Sequence, residues 1–100
     1  MRYEISEKAQ QDLFNIESYL LEKWNIAVLE DFFIKFQRAI NILLDKKVFF
    51  QKYEATHFYK FNVTKHNSLI YTYGEDVLYL HRILQNFQDP DDNYDSLKDL

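Results

Sequence analysis

Residues 57–84 read HFYKFNVTKHNSLIYTYGEDVLYLHRIL, and this stretch decides the fold. Aromatic and β-branched residues fill 57–64, 68–73 and 77–84, the composition of half-buried strands. The two breaks, Lys65–His66–Asn67 and Gly74–Glu75–Asp76, are short and carry turn-forming residues. Three such runs joined so tightly predict an antiparallel meander.

Upstream of Asp45 the period changes from two to between three and four. Ala9, Leu13, Ile16, Leu20 and Trp24 form one stripe, which predicts a helix over 6–24 with Ser6 as its N-cap. Leu29, Phe32, Phe36, Ile40 and Leu43, widened by Phe33, Ala39 and Leu44, predict a second helix. Only Asn25 and Ile26 separate the stripes, so the helices are expected to form an antiparallel hairpin. Residues 2–5 read as a short strand that joins the sheet. The expected class is α+β: an N-terminal strand and an antiparallel helical hairpin packed on a small, mainly antiparallel sheet. Leu13, Ile16, Leu20, Phe36, Ile40 and Leu43 are expected to face that sheet.

One hundred residues hold one domain, and a chain 47% hydrophobic and 18% aromatic with one Gly and one Pro is neither disordered nor collagenous. The absence of cysteine excludes a disulfide scaffold, a thiolate metal site and a Cys nucleophile. No apolar run approaches the ~20 residues of a membrane span, and the charged start MRYEISEKAQQD is unlike a signal peptide. A cytoplasmic protein without membrane contact is therefore expected. The net charge of −4 is uneven: residues 85–100 carry five aspartates against Lys98, whereas residues 46–66 carry five lysines against Glu54. The division expected is a domain over 1–90 and an acidic tail over 91–100.

The chain has no Gly-rich phosphate loop, HExxH, nucleophile elbow or paired-His spacing, so neither a metal nor a cofactor is expected. What remains is a basic and aromatic set on the strands: Lys60, Lys65, His66, His81 and Arg82, with Tyr71, Tyr73 and Tyr79. Such a set can hold a nucleic-acid phosphate and stack on bases. Metal-independent RNA cleavage needs a base for the 2′-OH, an acid for the 5′-oxygen and a cation for the phosphorane. His66 or His81 is the candidate base or acid, and Lys60 or Arg82 the candidate cation. The competing reading puts the rings in the core, with Lys60 and Arg82 laid along it. Pattern alone does not separate the two.

The order of parts resembles the RelE/ParE toxin superfamily. The residues that carry the resemblance are Ala9, Asp12, Leu13, Ile16, Tyr19, Leu20 and Trp24, then Phe32 and Leu43. Further on they are Tyr59-Lys60-Phe61, the stretch 69–71, Leu80-His81-Arg82-Ile83-Leu84 and Gln88-Asp89-Pro90. The resemblance implies a type II toxin–antitoxin module. Its toxin acts on DNA gyrase or cleaves mRNA on the ribosome, and a cognate antitoxin neutralises it. The hairpin with its Trp looks ParE-like, which implies gyrase as the target and no active site. The alternatives are a RelE-like ribosome-dependent mRNA endoribonuclease and an inactive interaction module. Gln85 and Phe87 stand where many members have His and Arg, and Ser68 where ribonuclease members often have Arg; the nuclease site these imply is incomplete. Nine Phe, eight Tyr and one Trp are many rings for so small a core, which predicts an apolar groove between hairpin and sheet edge that receives the antitoxin. Trp24, Phe33 and Phe50 are its expected rims; Lys60, Lys65 and Arg82, in the basic segment and on the third strand, are expected to meet the target or an acidic antitoxin stretch, and the tail to stay free.

Overall fold

Ser6 ends the first strand and starts the first helix. In the computed structural model, which describes residues 1–46 and 51–85, its hydroxyl accepts from the Ala9 N–H at 3.0 Å, satisfying one of the open donors of the first turn. The elements follow in the order β1 (Arg2–Ile5), α1 (Glu7–Lys23), α2 (Ile26–Leu44), β2 (Gln51–Lys52), β3 (Tyr59–Asn62), β4 (Asn67–Gly74) and β5 (Val77–Gln85). Asn25 caps α2 as Ser6 caps α1, its side chain accepting from the Val28 N–H at 3.0 Å.

The five strands form one sheet in the order β1-β5-β4-β3-β2. The meander β3–β4–β5 is antiparallel, as is β2 on β3. Only β1 runs parallel to its neighbour β5, with Arg2 opposite Val77 and Ile5 opposite Leu80. The chain between β1 and β5 holds both helices, the long connection a parallel pair requires. At the β4–β5 turn, a Cβ on Gly74 would lie 2.7 Å from the Tyr79 ring and 2.9 Å from Val77, so the strands close there only because the side chain is missing.

The helices and one face of the sheet share the main core. Ile16 of α1 and Phe36, Ile40 and Leu43 of α2 pack with Leu69 and Leu80 of the sheet, and Leu13 and Leu20 are half-buried against them. All six expected core residues thus lie on the sheet side. A smaller cluster of Tyr53, Phe58, Ile70 and Leu84 covers part of the opposite face.

The strand expected over 57–64 is shorter. Phe58 folds into the smaller cluster, and Val63 and Thr64 bond to Asn67 to build the turn before β4. The two-residue β2 was not foreseen, being too short to show a period. Phe50 and the tail 91–100 lie outside the described residues.

Tyr71 and Tyr73 face the helices. The Tyr73 hydroxyl donates to the Leu43 carbonyl, whereas the buried Tyr71 hydroxyl has no hydrogen-bond partner among the described residues. Burial, with Tyr73 and Tyr59 alongside, pushes its pKa up to about 12. An unpaired buried hydroxyl costs roughly 1–3 kcal/mol. Tyr71→Phe is therefore expected to leave stability unchanged or raise it by about 1 kcal/mol in urea melts, in contrast to the loss usual for a core substitution.

Candidate active site

Cross-strand pairing aligns Lys60, Ile70 and Arg82 in one row, Asn62, Ser68 and Leu84 in a second, and Thr72 with Tyr79 in a third. Alternation along each strand turns the Lys60, Ile70 and Thr72 positions away from the helices. Between Ile70 and Tyr71 the register shifts, because Ile70 pairs with Arg82 but Tyr71 pairs with Leu80. His81 is left over as the extra residue of a β-bulge, a device that re-aims side chains next to functional sites.

The bulge carries His81 into a small cluster of side chains on the face away from the helices. Its Nε2 lies 2.7 Å from the Thr72 hydroxyl, its ring meets Phe58 edge-on at 5.0 Å, and Tyr79 flanks it at 6.1 Å. The His57 ring lies tilted against Phe58, 4.2 Å away. Burial first, then the neighbouring His57, lowers the His81 pKa from the ordinary 6.5. The imidazole is neutral at pH 7, the form a general base needs. Lys60 stands half-buried on the same face, and among the described residues it meets no carboxylate.

Arg82 is differently placed. Its Nε and Nη2 donate to the two Asp12 oxygens at 2.7 and 2.9 Å, and the Ile83 N–H donates to Asp12 at 2.9 Å. Both side chains are largely buried, at 17% and 14% exposure. The Asp12 hydrogen bond holds the guanidinium pKa above its ordinary value. The row shared by Lys60 and Arg82 therefore does not make them one cationic site, for Ile70 lies between them and Asp12 already neutralises Arg82.

His66 is also separate from His81. It lines a groove of about 530 Å³ on the helix side, with Tyr19, Leu20 and Trp24 of α1, Val28 of α2, and Asn67 and Gln85 of the sheet. Trp24 is 64% exposed there. A groove thus lies between hairpin and sheet, and Trp24 is part of its lining. Phe33 packs on Phe32 instead and is not part of the lining. Lys65 lies next to His66 in the β3–β4 turn. Ser68 is buried, its hydroxyl donating to Asn62 at 2.8 Å.

Sequence reasoning missed Thr72, Phe58 and His57 as neighbours of His81, and the role of Asp12. The only sequence signal for this cluster was the strand alternation that sets Thr72 and Phe58 on the Lys60 face. Among the described residues, no group of three or more His, Asp or Glu side chains is placed to hold a metal ion, and no helix is long and apolar enough to cross a membrane.

No family model matches the chain, and no curated protein matches it. Solved structures do. A copper-bound mutant toxin from Helicobacter pylori superposes with a TM-score of 0.55 at 20% identity, covering 86% of this chain and 94% of its own. A histidine-to-glutamine mutant of YafQ from E. coli superposes with a TM-score of 0.52 at 12% identity, covering 84% and 91%. At these identities the likeness is one of fold: this chain has the α+β fold of RelE-type toxins.

Two outcomes follow from the geometry. Asp12→Ala removes the carboxylate that the Arg82 guanidinium and the Ile83 N–H bond, and urea melts are expected to show a loss of roughly 3–5 kcal/mol. Because the folded-state pKa of His81 is depressed, the unfolded chain binds more protons as pH falls through about 6.5, and stability is lost from there downward. His81→Gln is expected to flatten that acid limb in melts between pH 7.5 and 5.

Proposed function

We propose that this protein is the toxin of a type II toxin–antitoxin module and that it acts as a metal-independent endoribonuclease on mRNA at the ribosome. The fold is shared with a toxin from Helicobacter pylori and with YafQ from E. coli, and the RelE/ParE superfamily that the sequence resembles includes ribonucleases. The observation that carries the reading is His81, presented by a bulge on the face away from the helices, neutral, with Lys60 on that face. In this reading His81 takes the 2′-OH proton as the 2′-oxygen attacks phosphorus. The Lys60 ammonium balances the charge on the phosphorane and protonates the departing 5′-oxygen. Arg82 and His66 stand outside this step: Arg82 ties α1 to β5, and His66 lines the groove. That groove, apolar along α1 and rimmed by Trp24, fits an amphipathic segment of the cognate antitoxin. The site of action would be the cytoplasm.

A second reading, ParE-like binding to DNA gyrase, is favoured by one observation. Ser68, where ribonuclease members of the superfamily often carry arginine, is buried and bonded to Asn62. The open face then has fewer cations than an RNA-cleaving site would use.

Controlled expression in bacteria separates these readings. Growth arrest with site-specific mRNA ends, both abolished by His81→Gln and weakened by Lys60→Gln, is the expected result. DNA breaks with intact mRNA would replace it with the gyrase reading. No arrest at all would leave an interaction module.

A further inference from the structure

We propose that Thr72 is a positioning residue that fixes the tautomer of His81: its hydroxyl accepts the Nε2 proton and leaves Nδ1 as the nitrogen that takes a proton from a ligand. The catalytic consequence rests on the ribonuclease reading above; the tautomer does not.

A neutral imidazole has one N–H and one lone pair, and the 2.7 Å contact occupies Nε2 with the Thr72 hydroxyl. The other neighbours of the ring are Phe58 and Tyr79, which meet it as rings. Among the described residues Nδ1 has no polar partner, which leaves it as the nitrogen for a ligand. For Nδ1 to accept a proton, Nε2 must already carry one, and Thr72 Oγ1 must be its acceptor. When Nδ1 is then protonated, the Nε2–H···Oγ1 bond stays in place, and the new charge forms beside an oriented lone pair without any group turning. An orienting acceptor behind a catalytic histidine does the same work in a triad, where it is charged and correspondingly stronger.

The fold makes Thr72 a rigid choice for this role. Its backbone is paired with Tyr79 of β5, and its branched Cβ restricts χ1. The register shift at Ile70/Tyr71 brings the bulged His81 over it rather than over a residue of its own row. The titratable groups near the ring are His57, ahead of β3, and Tyr79 on β5. Lys60 of β3 and the Arg2–Glu4 pair of β1 lie on the same face. Of these His57 is the one whose charge bears on His81, and it opposes protonation.

The test is the imidazole ¹⁵N–¹H spectrum of His81 in the full chain between pH 5 and 8.5, for the wild type, Thr72→Val and Thr72→Ser, with ribosome-dependent mRNA cleavage measured on the same samples. The expected result is an Nε2–H tautomer in the wild type and in Thr72→Ser, and a tautomer mixture with a shifted titration midpoint in Thr72→Val. Cleavage by Thr72→Val should fall on the order of tenfold in kcat with KM unchanged, a part of the ~10²–10⁴ that a positioned base supplies. Thr72→Ser should restore it. A wild-type ring in the Nδ1–H form, or a Thr72→Val ring with unchanged tautomer and midpoint, overturns the proposal. If Thr72→Val does not fold, the wild-type tautomer alone decides. If the spectra come out as expected but no sample cleaves mRNA, the ribonuclease reading fails while the role of Thr72 toward His81 stands.

Discussion

The carboxylate of Asp12 holds the two layers of this protein together. β1 ends at Ile5, so β5 loses its parallel neighbour beyond Leu80. Ser6 bonds the carbonyls of Leu80 and His81, and one helical turn and a half later Asp12 takes the next N–H, at Ile83, together with the Arg82 guanidinium. Helix α1 thus continues by side chain what β1 began by backbone. The register of β5 against the helix is set at three successive points, and each would otherwise be an unsatisfied polar group at a partly buried edge. The bulge lies within the same stretch, so the bonds that anchor α1 also fix where His81 is displayed.

This placement divides the labour between the faces of the sheet. The helix side is mainly apolar, with Leu69, Tyr71, Leu78 and Leu80 packed under α1 and α2 and the Trp24 groove at its margin. Among the described residues the other side is covered in part by Tyr53 and Phe58, and His81, half-buried, lies at the boundary of that small cluster. A histidine at such a boundary is desolvated enough to stay neutral yet reachable, a combination that neither a core nor a free surface offers.

Much of the architecture was legible in the chain. The helix stripes, the Ser6 cap and the three meander strands are local patterns, and local patterns survive into the fold with small changes at their ends. The site was less legible, for a physical reason. A bulge is a mismatch between two strands, so nothing in the run VLYLHRILQ marks His81 as the extra residue; only the partner strand does. In the same way, Arg82 reads in sequence as a phosphate-binding cation, and only the approach of α1 reveals that Asp12 occupies it. Lys60 and Arg82 share a row as alternation and register require, and are still chemically unlike, because one has a carboxylate and the other has none among the described residues.

Trp24 gives the groove an optical property. It is the chain's single tryptophan, it ends α1, and most of its surface is in water while its ring lines the apolar groove. Indole emission follows local polarity, and the tyrosines elsewhere can be left unexcited at long wavelength. The native protein thus carries its own fluorophore at that groove, without a label and without altering any residue on the His81 face. Changes at the groove can thus be followed separately from changes on the His81 face in one sample.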